Sequence, residues 1–309
     1  MIKIRITALF ILLAFTLSMA ACTPADDTPE PVTTTVQTEA DEQDAVAQEL
    51  RLVSTAADIT EILDGLLLSE SIVAADSYSL GIGNVDPEVC TLDYTNPDVE
   101  TIISLEPDVV FVSGSSTDGT VDPYSALSDA GVNVVYIPTA ESISGIIDNI
   151  ELIAENTGAE DKAEELTSSI DEAVADAKTR AESLGGEKVS VYFEISAAPW
   201  FYSFGSNTYL DEIISICGGE NIYSEETGWI SNTEESILAA NPQVILTNVM
   251  YDGYDYNEIY SREGWEAIDA VVNHRVYSID ANASSRGSQN IVKAIQEISL
   301  AIIPDESAQ

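Results

Sequence analysis

Apolar residues recur along this chain in two rhythms. From Glu160 to Leu184 the sequence reads EDKAEELTSSIDEAVADAKTRAESL, with no Gly or Pro until Gly185-Gly186. Its apolar positions are Ala163, Leu166, Ile170, Ala173/Val174, Ala177, Ala181 and Leu184; steps of three and four place them on one helix face. At ~1.5 Å per residue such a helix is roughly 37 Å long. On either side, short apolar runs alternate with segments of helical spacing. Before the long helix, strands are predicted at 51–53, 71–75, 108–112 and 132–137, and helices at 57–67, 97–105, 122–130 and 142–156. After it, strands are predicted at 188–194, 243–247 and 275–279, with helices at 209–216, 233–240 and a last one ending near Ile302.

Strands alternating with helices predict an α/β fold with small, mostly parallel sheets and helices on their faces. Two arrangements satisfy the pattern: two lobes joined by the long helix, or one large domain carrying that helix on its surface. Parallel sheets bind ligands beyond the carboxyl ends of their strands. The loops of interest are therefore 76–80, 113–120 and 138–140 in the first half. In the second half, aromatic residues cluster where two strands end, at Trp200-Phe201-Tyr202 and at Tyr251, Tyr254 and Tyr256. Three adjacent rings cannot all point inward, so at least one is expected at the surface or on a ligand.

Residues 1–21 fall outside the fold. Lys3 and Arg5 precede an apolar run, Ile6 to Leu17, that is too short to span a bilayer, and small residues lead to Cys22. This is a secretory signal peptide. Ser18-Met19-Ala20-Ala21-Cys22 resembles a bacterial lipobox, with Met19 where Leu is usual; a lipidated Cys22 would anchor the chain to a membrane surface. A simple cleaved signal is the alternative. Residues 22–49 are rich in Thr, Pro, Asp, Glu and Gln and read as a disordered tether. The expected organisation continues with a first lobe at 50–158, the connecting helix at 159–186, a second lobe at 187–303 and a tail at 304–309.

With 54 acidic and 11 basic residues the net charge is −43, which disfavours nucleic acid and anionic lipid as partners. No Lys or Arg occurs between Leu52 and Asp161, so the first lobe has no cation to offer a ligand. Cys90 and Cys217 fall in different lobes and are expected as free thiols; without a CxxC or a Cys/His cluster no metal site is expected. The single histidine, His274, lies in a turn entering a strand, and neither a GxSxG elbow nor a phosphate loop is present. The chain is not expected to be an enzyme, and no cofactor is expected.

Six segments in register carry a family resemblance: NPDVETIISLEPDVVFVSG (96–114), DAGVNVVYIP (129–138), CGGENIY (217–223), SNTEESILAANPQVILT (231–247), GWEAIDAVVNHRVYSID (264–280) and SSRGSQNIVKAI (284–295). With these the chain resembles the substrate-binding lipoproteins of bacterial ABC importers for cobalamin and ferric siderophores, the periplasmic-binding-protein group with a rigid interlobe helix. The resemblance implies the class III fold, with two lobes on one long α-helix and only small relative movement. It implies an extracytoplasmic, lipid-anchored monomer that captures a corrinoid or ferric siderophore between the lobes. The partners implied are an ABC permease and its ATPase, with no nucleic acid. Haem is an alternative ligand; a surface sensor or an enzyme on the same fold is an alternative role. By the same resemblance Glu100 and Glu235, with Glu234 as a possible substitute, would meet permease arginines. Ligand contacts are expected from Tyr78, Trp200, Tyr202, Tyr251 and Arg286, then from Tyr94, Ser115 and Tyr254. Arg286 either meets an anionic group of the ligand or serves as a helix cap or interlobe salt bridge. Family members often place a second arginine near Arg286; here that position is Asn290.

Overall fold

The structure is a computed structural model and describes residues 50–114, 122–251 and 253–305. The first sheet contains β1 (Leu52–Ser54), β2 (Ile72–Asp76), β3 (Cys90–Leu92), β4 (Val109–Ser113) and β5 (Val134–Ile137), all parallel in the order β3-β2-β1-β4-β5. Its helices are α1 (Ala57–Gly65), α2 (Val99–Ser104), α3 (Ser125–Asp129) and α4 (Ile143–Glu155). The long helix α5 (Glu160–Ala181) follows, tightened into a 3₁₀ turn at Glu182–Leu184 and ended by Gly185 in a left-handed conformation.

The second half holds β6 (Val189–Glu194), β7 (Tyr202–Phe204), β8 (Gly219–Asn221), β9 (Trp229–Ser231), β10 (Val244–Thr247) and β11 (Val276–Ser278). Four of these form a parallel sheet in the order β11-β10-β6-β8, while β7 and β9 pair antiparallel beside it. Its helices are α6 (Tyr209–Ile216), α7 (Glu234–Ala240), α8 (Asp269–Val272), α9 (Ala281–Ser285) and α10 (Ile291–Ile302). Among the described residues no helix is long and apolar enough to cross a membrane.

Period-two alternation explains how each sheet is covered on both faces. In β4, Val109 and Phe111 enter one core while Val110 and Val112 enter another under α2 and α3 with Ile102 and Leu127. In β6 and β10, Val191, Phe193, Val244 and Leu246 share the first core, and Tyr192 and Ile245 face a third built around Trp265. The first core is continuous from Leu52 and Ile62 through Ala163, Ile170, Ala173 and Ala177 of α5 to Val191 and Ile298. The long helix therefore differs from a bare spacer. It lies against α4, α6 and α10, and its buried alanines allow close approach.

Helix starts follow capping chemistry: Asp98, Ser142 and Thr208 accept from backbone N–H groups three residues on, and Thr233 and Ser236 form a reciprocal box. Pro97 lies outside α2 because Asp98 takes the cap. The strands absent from the sequence reading, β3, β7, β8 and β9, are three residues each, too short for alternation to register.

Candidate functional site

In the first sheet the strand order reverses between β1 and β4, which opens a crevice at their carboxyl ends. The segments leaving β1, β2 and β4 bring Thr55, Ala56, Ala57, Asp58, Asp76, Tyr78 and Ser113 to that crevice, with Tyr94 beside them. The second half contributes Met250, beyond β10, and Ser285 and Arg286 at the end of α9. Together they enclose a pocket of about 360 Å³ between the two sheets, within the range of small-molecule sites. A larger depression of about 530 Å³ along α5 and α10 holds none of the predicted site residues.

A buried chain of hydroxyls fixes the floor. Thr60 Oγ1 donates to Ser54 Oγ and lies 2.7 Å from Ser79 Oγ, and Ser79 in turn donates to Asp76. The other Asp76 oxygen accepts the Tyr78 backbone N–H at 2.9 Å, which pins the turn that displays Tyr78. The Tyr78 ring is 68% exposed and meets Tyr94 edge-on at 6.5 Å. Asp58, in the first turn of α1, accepts the Ile59 N–H. Burial raises its pKa above the ordinary carboxylate value; these backbone N–H bonds oppose the rise, and the nearby Glu61 and Asp76 carboxylates add to it.

Arg286 has a partner across the lobes. Its Nη1 donates to Glu61 Oε1 on α1 at 2.5 Å, Ser288 Oγ donates to Glu61 Oε2 at 2.6 Å, and Gln289 Nε2 donates to the Glu61 carbonyl at 2.7 Å. Of the two roles open from the sequence, the interlobe salt bridge is present, and Arg286 still lines the pocket. A second cross-link joins the lobes where Glu212 on α6 accepts the Ile143 N–H at the start of α4.

The second sheet has its own reversal between β6 and β10. There Glu194, fully buried, accepts two bonds from Arg262 (2.6 and 2.9 Å) and one from the Tyr254 hydroxyl (2.9 Å). The Arg262 guanidinium lies 4.7 Å from the Trp265 ring and 5.7 Å from Phe201, a cation–π seat that holds the pair in place. Burial and the Glu194 charge drive the Tyr254 hydroxyl pKa upward, so it stays protonated and serves as a donor.

The predicted residues thus separate. Tyr78, Tyr94 and Arg286 line one pocket. Tyr251 stacks obliquely on Tyr254 at 5.1 Å and is half exposed next to Met250. Trp200, 79% exposed, precedes β7, whose first residue Tyr202 bridges back to Ser196 just past β6, and neither ring is in the pocket wall. Glu100 and Glu235 are exposed, and Glu234 is occupied by the Trp265 indole N–H at 2.7 Å. Ser115 and Cys22 lie outside the described residues. Asp58, Asp76 and Met250 were not among the expected ligand contacts, although Asp76 opens the 76–80 loop of interest; the acids were lost in a chain with 54 of them, though their positions at a helix start and a strand end were a usable signal. Among the described residues no three His, Cys, Asp or Glu side chains cluster as a metal site.

Two α/β sheets flanking one pocket on a long helix form a recognisable architecture, and residues 52–283 match the model of the periplasmic binding protein family. The chain belongs to that family. It is 32% identical over 259 residues to an uncharacterized ABC transporter substrate-binding lipoprotein, YvrC, of Bacillus subtilis, covering 82% of this chain and 80% of the relative. It is 24% identical to a vitamin B12-binding protein of Vibrio campbellii, covering 80% and 87%. Among solved structures, a possible iron-binding periplasmic solute-binding protein of Staphylococcus epidermidis superposes with TM-score 0.68 at 28% identity, covering 82% of this chain and 98% of the other. These are binding proteins of transport systems, not enzymes. The expected class III fold and the recognition of the family both stand.

Proposed function

We propose that this periplasmic binding protein captures a metal chelate, a corrinoid or a ferric siderophore, in the interlobe pocket and delivers it to the permease of an ABC importer. The observation that carries this reading is the pocket itself: carboxyl-end loops of the first sheet face Met250 and Arg286 of the second half, with Tyr78 and Tyr94 as rigid apolar walls. Exposed Trp200, Tyr202 and Tyr251 give a rim for the part of a bulky chelate that the pocket leaves outside. The relatives named for vitamin B12 and iron support this ligand class. Glu100 on α2 and Glu235 on α7 are the permease contacts in this reading, one on each lobe, and two charge-assisted contacts orient the docked protein. Cys22 carries the lipid that holds the monomer on the extracytoplasmic face. The two cross-lobe links and the shared core support a nearly preformed pocket with small lobe movement. Haem is the second reading, favoured by two phenols in the pocket, since a tyrosine can ligate haem iron.

Titrating the protein with corrinoids, ferric siderophores and haem while following tryptophan fluorescence tests the proposal. A saturable response to a corrinoid or ferric siderophore, weakened by Trp200→Ala, is expected. No response across the panel refutes a chelate-binding role, and a response to haem alone selects the second reading.

A further inference from the structure

We propose that the interlobe pocket selects its chelate by charge, accepting neutral or cationic ligands and rejecting anionic ones, with Asp58 and Asp76 as the determinants. This rests on the chelate-binding reading above and specifies its ligand class.

Few cations can reach the pocket. In the first lobe Arg51, just ahead of β1, donates to the Leu105 carbonyl and is not part of the lining, and no Lys or Arg occurs between Leu52 and Asp161. In the second half each basic side chain is engaged. Lys188 donates to the Ser215 carbonyl, Arg262 to Glu194, Arg275 to the carbonyls of Ala301 and Ile302, and Lys293 to Asp280. Among the described residues Arg286 is the one cation that lines the pocket, and its charge is met by the buried Glu61 carboxylate. That leaves Asp58 and Asp76 in the lining, and among the described residues neither pairs with a cation. Asp76 is satisfied by N–H and O–H donors, which hold a carboxylate in place without cancelling its charge. Burial is the main cause of the raised Asp58 pKa, and the Glu61 and Asp76 carboxylates add to it. An anionic chelate entering here meets like charge in a half-buried setting, where screening by water and salt is weaker than at the open surface. A ligand with a free ammonium or a net positive metal centre meets the complementary field.

The test separates charge from shape with matched series. One is a ferric tris-hydroxamate with a pendant amine, used as the free ammonium, as the neutral acetyl amide and as the anionic succinyl amide. The other is a corrinoid with the same three states on one peripheral amide. Isothermal titration of the full chain with both series should find, on whichever scaffold binds, the anionic member weaker than the cationic one by about tenfold or more. Asp58→Asn should narrow that gap, and Glu61→Gln, which leaves the Arg286 charge uncompensated, should tighten the anionic member. The two variants bear on different groups, and Asp58→Asn, which keeps an acceptor for the Ile59 N–H, decides if Glu61→Gln fails to fold. An anionic member that binds as tightly as its cationic counterpart overturns the charge selection and leaves the importer reading standing. Binding of neither series, with haem and a ferric tris-catecholate also silent, overturns both; tight binding of the trianionic catecholate alone overturns the selection only.

Discussion

Glu61→Gln should loosen the connection between the lobes, and the structure sets the size of the effect. The wild-type carboxylate is buried and takes one bond from Arg286 at 2.5 Å and another from Ser288 at 2.6 Å. Glutamine keeps the volume and one acceptor oxygen but removes the charge. The Arg286 side chain is 22% exposed, so its guanidinium loses its counter-ion while retaining some water through the pocket. A hydrogen bond to a charged group contributes about 1.5–3 kcal/mol, and the Ser288 bond weakens as its acceptor becomes neutral, which together give a loss of about 3 kcal/mol. Breaking a fully buried pair costs about 3–5 kcal/mol, an upper bound here because of that residual exposure. In a folded body of this size each kcal/mol moves Tm by roughly 2–4 °C, so the expected drop is roughly 6–12 °C. Differential scanning calorimetry at pH 7 measures it, with little dependence on salt because the pair is shielded. Adding Arg286→Met should recover much of the loss, since the orphaned charge is gone. A drop below 2 °C, or a double variant whose losses simply add, refutes the clamp.

Other outcomes follow from the same geometry. Because the Asp58 pKa is raised in the folded state, its contribution to stability is fully present below the ordinary value of 3.8 and is lost as pH rises through the raised value. Asp58→Asn, which keeps an acceptor for the Ile59 N–H, should therefore melt higher than wild type at pH 7 and converge with it near pH 4; parallel melting curves across that range would contradict this. Burial pushes the Cys217 thiol up to about 12, and its sulfur contacts the Ile295 carbonyl, whereas Cys90 is partly exposed. Peptide mapping after brief alkylation should find Cys90 modified and Cys217 intact until the protein is unfolded. Replacing Glu100 and Glu235 together by alanine should abolish chelate uptake in cells while leaving affinity in solution within about twofold, a split that isothermal titration beside an uptake assay reads directly.

Much of the fold was legible because burial imposes periods. Strands covered on both faces appear as the unbroken runs Val109–Val112 and Val244–Leu246, and α5 announces itself through an alanine-rich stripe at helical spacing. The aromatic candidates were found because aromatic rings at strand ends have few ways to be buried. Trp200 and Tyr78 are indeed exposed, and among the described residues only Tyr78 and Tyr94 of the rings line the pocket. Chain order says which loops lie at a carboxyl edge, but not how far each reaches into the space between the sheets.

What the sequence determined by itself was the alternation of strands and helices, the uncut length of α5 and the absence of any Lys or Arg between Leu52 and Asp161. Each is a local or compositional property that no packing can undo. What only the tertiary structure decided was the partner of Arg286. Glu61 lies 225 positions earlier, one carboxylate among 54 acids, and nothing in spacing or composition singles it out. The pairing arises because α1 and the segment after α9 meet across one continuous core, which brings opposite charges together out of reach of bulk water. The same packing turned the long helix from a connector between halves into a shared wall of both.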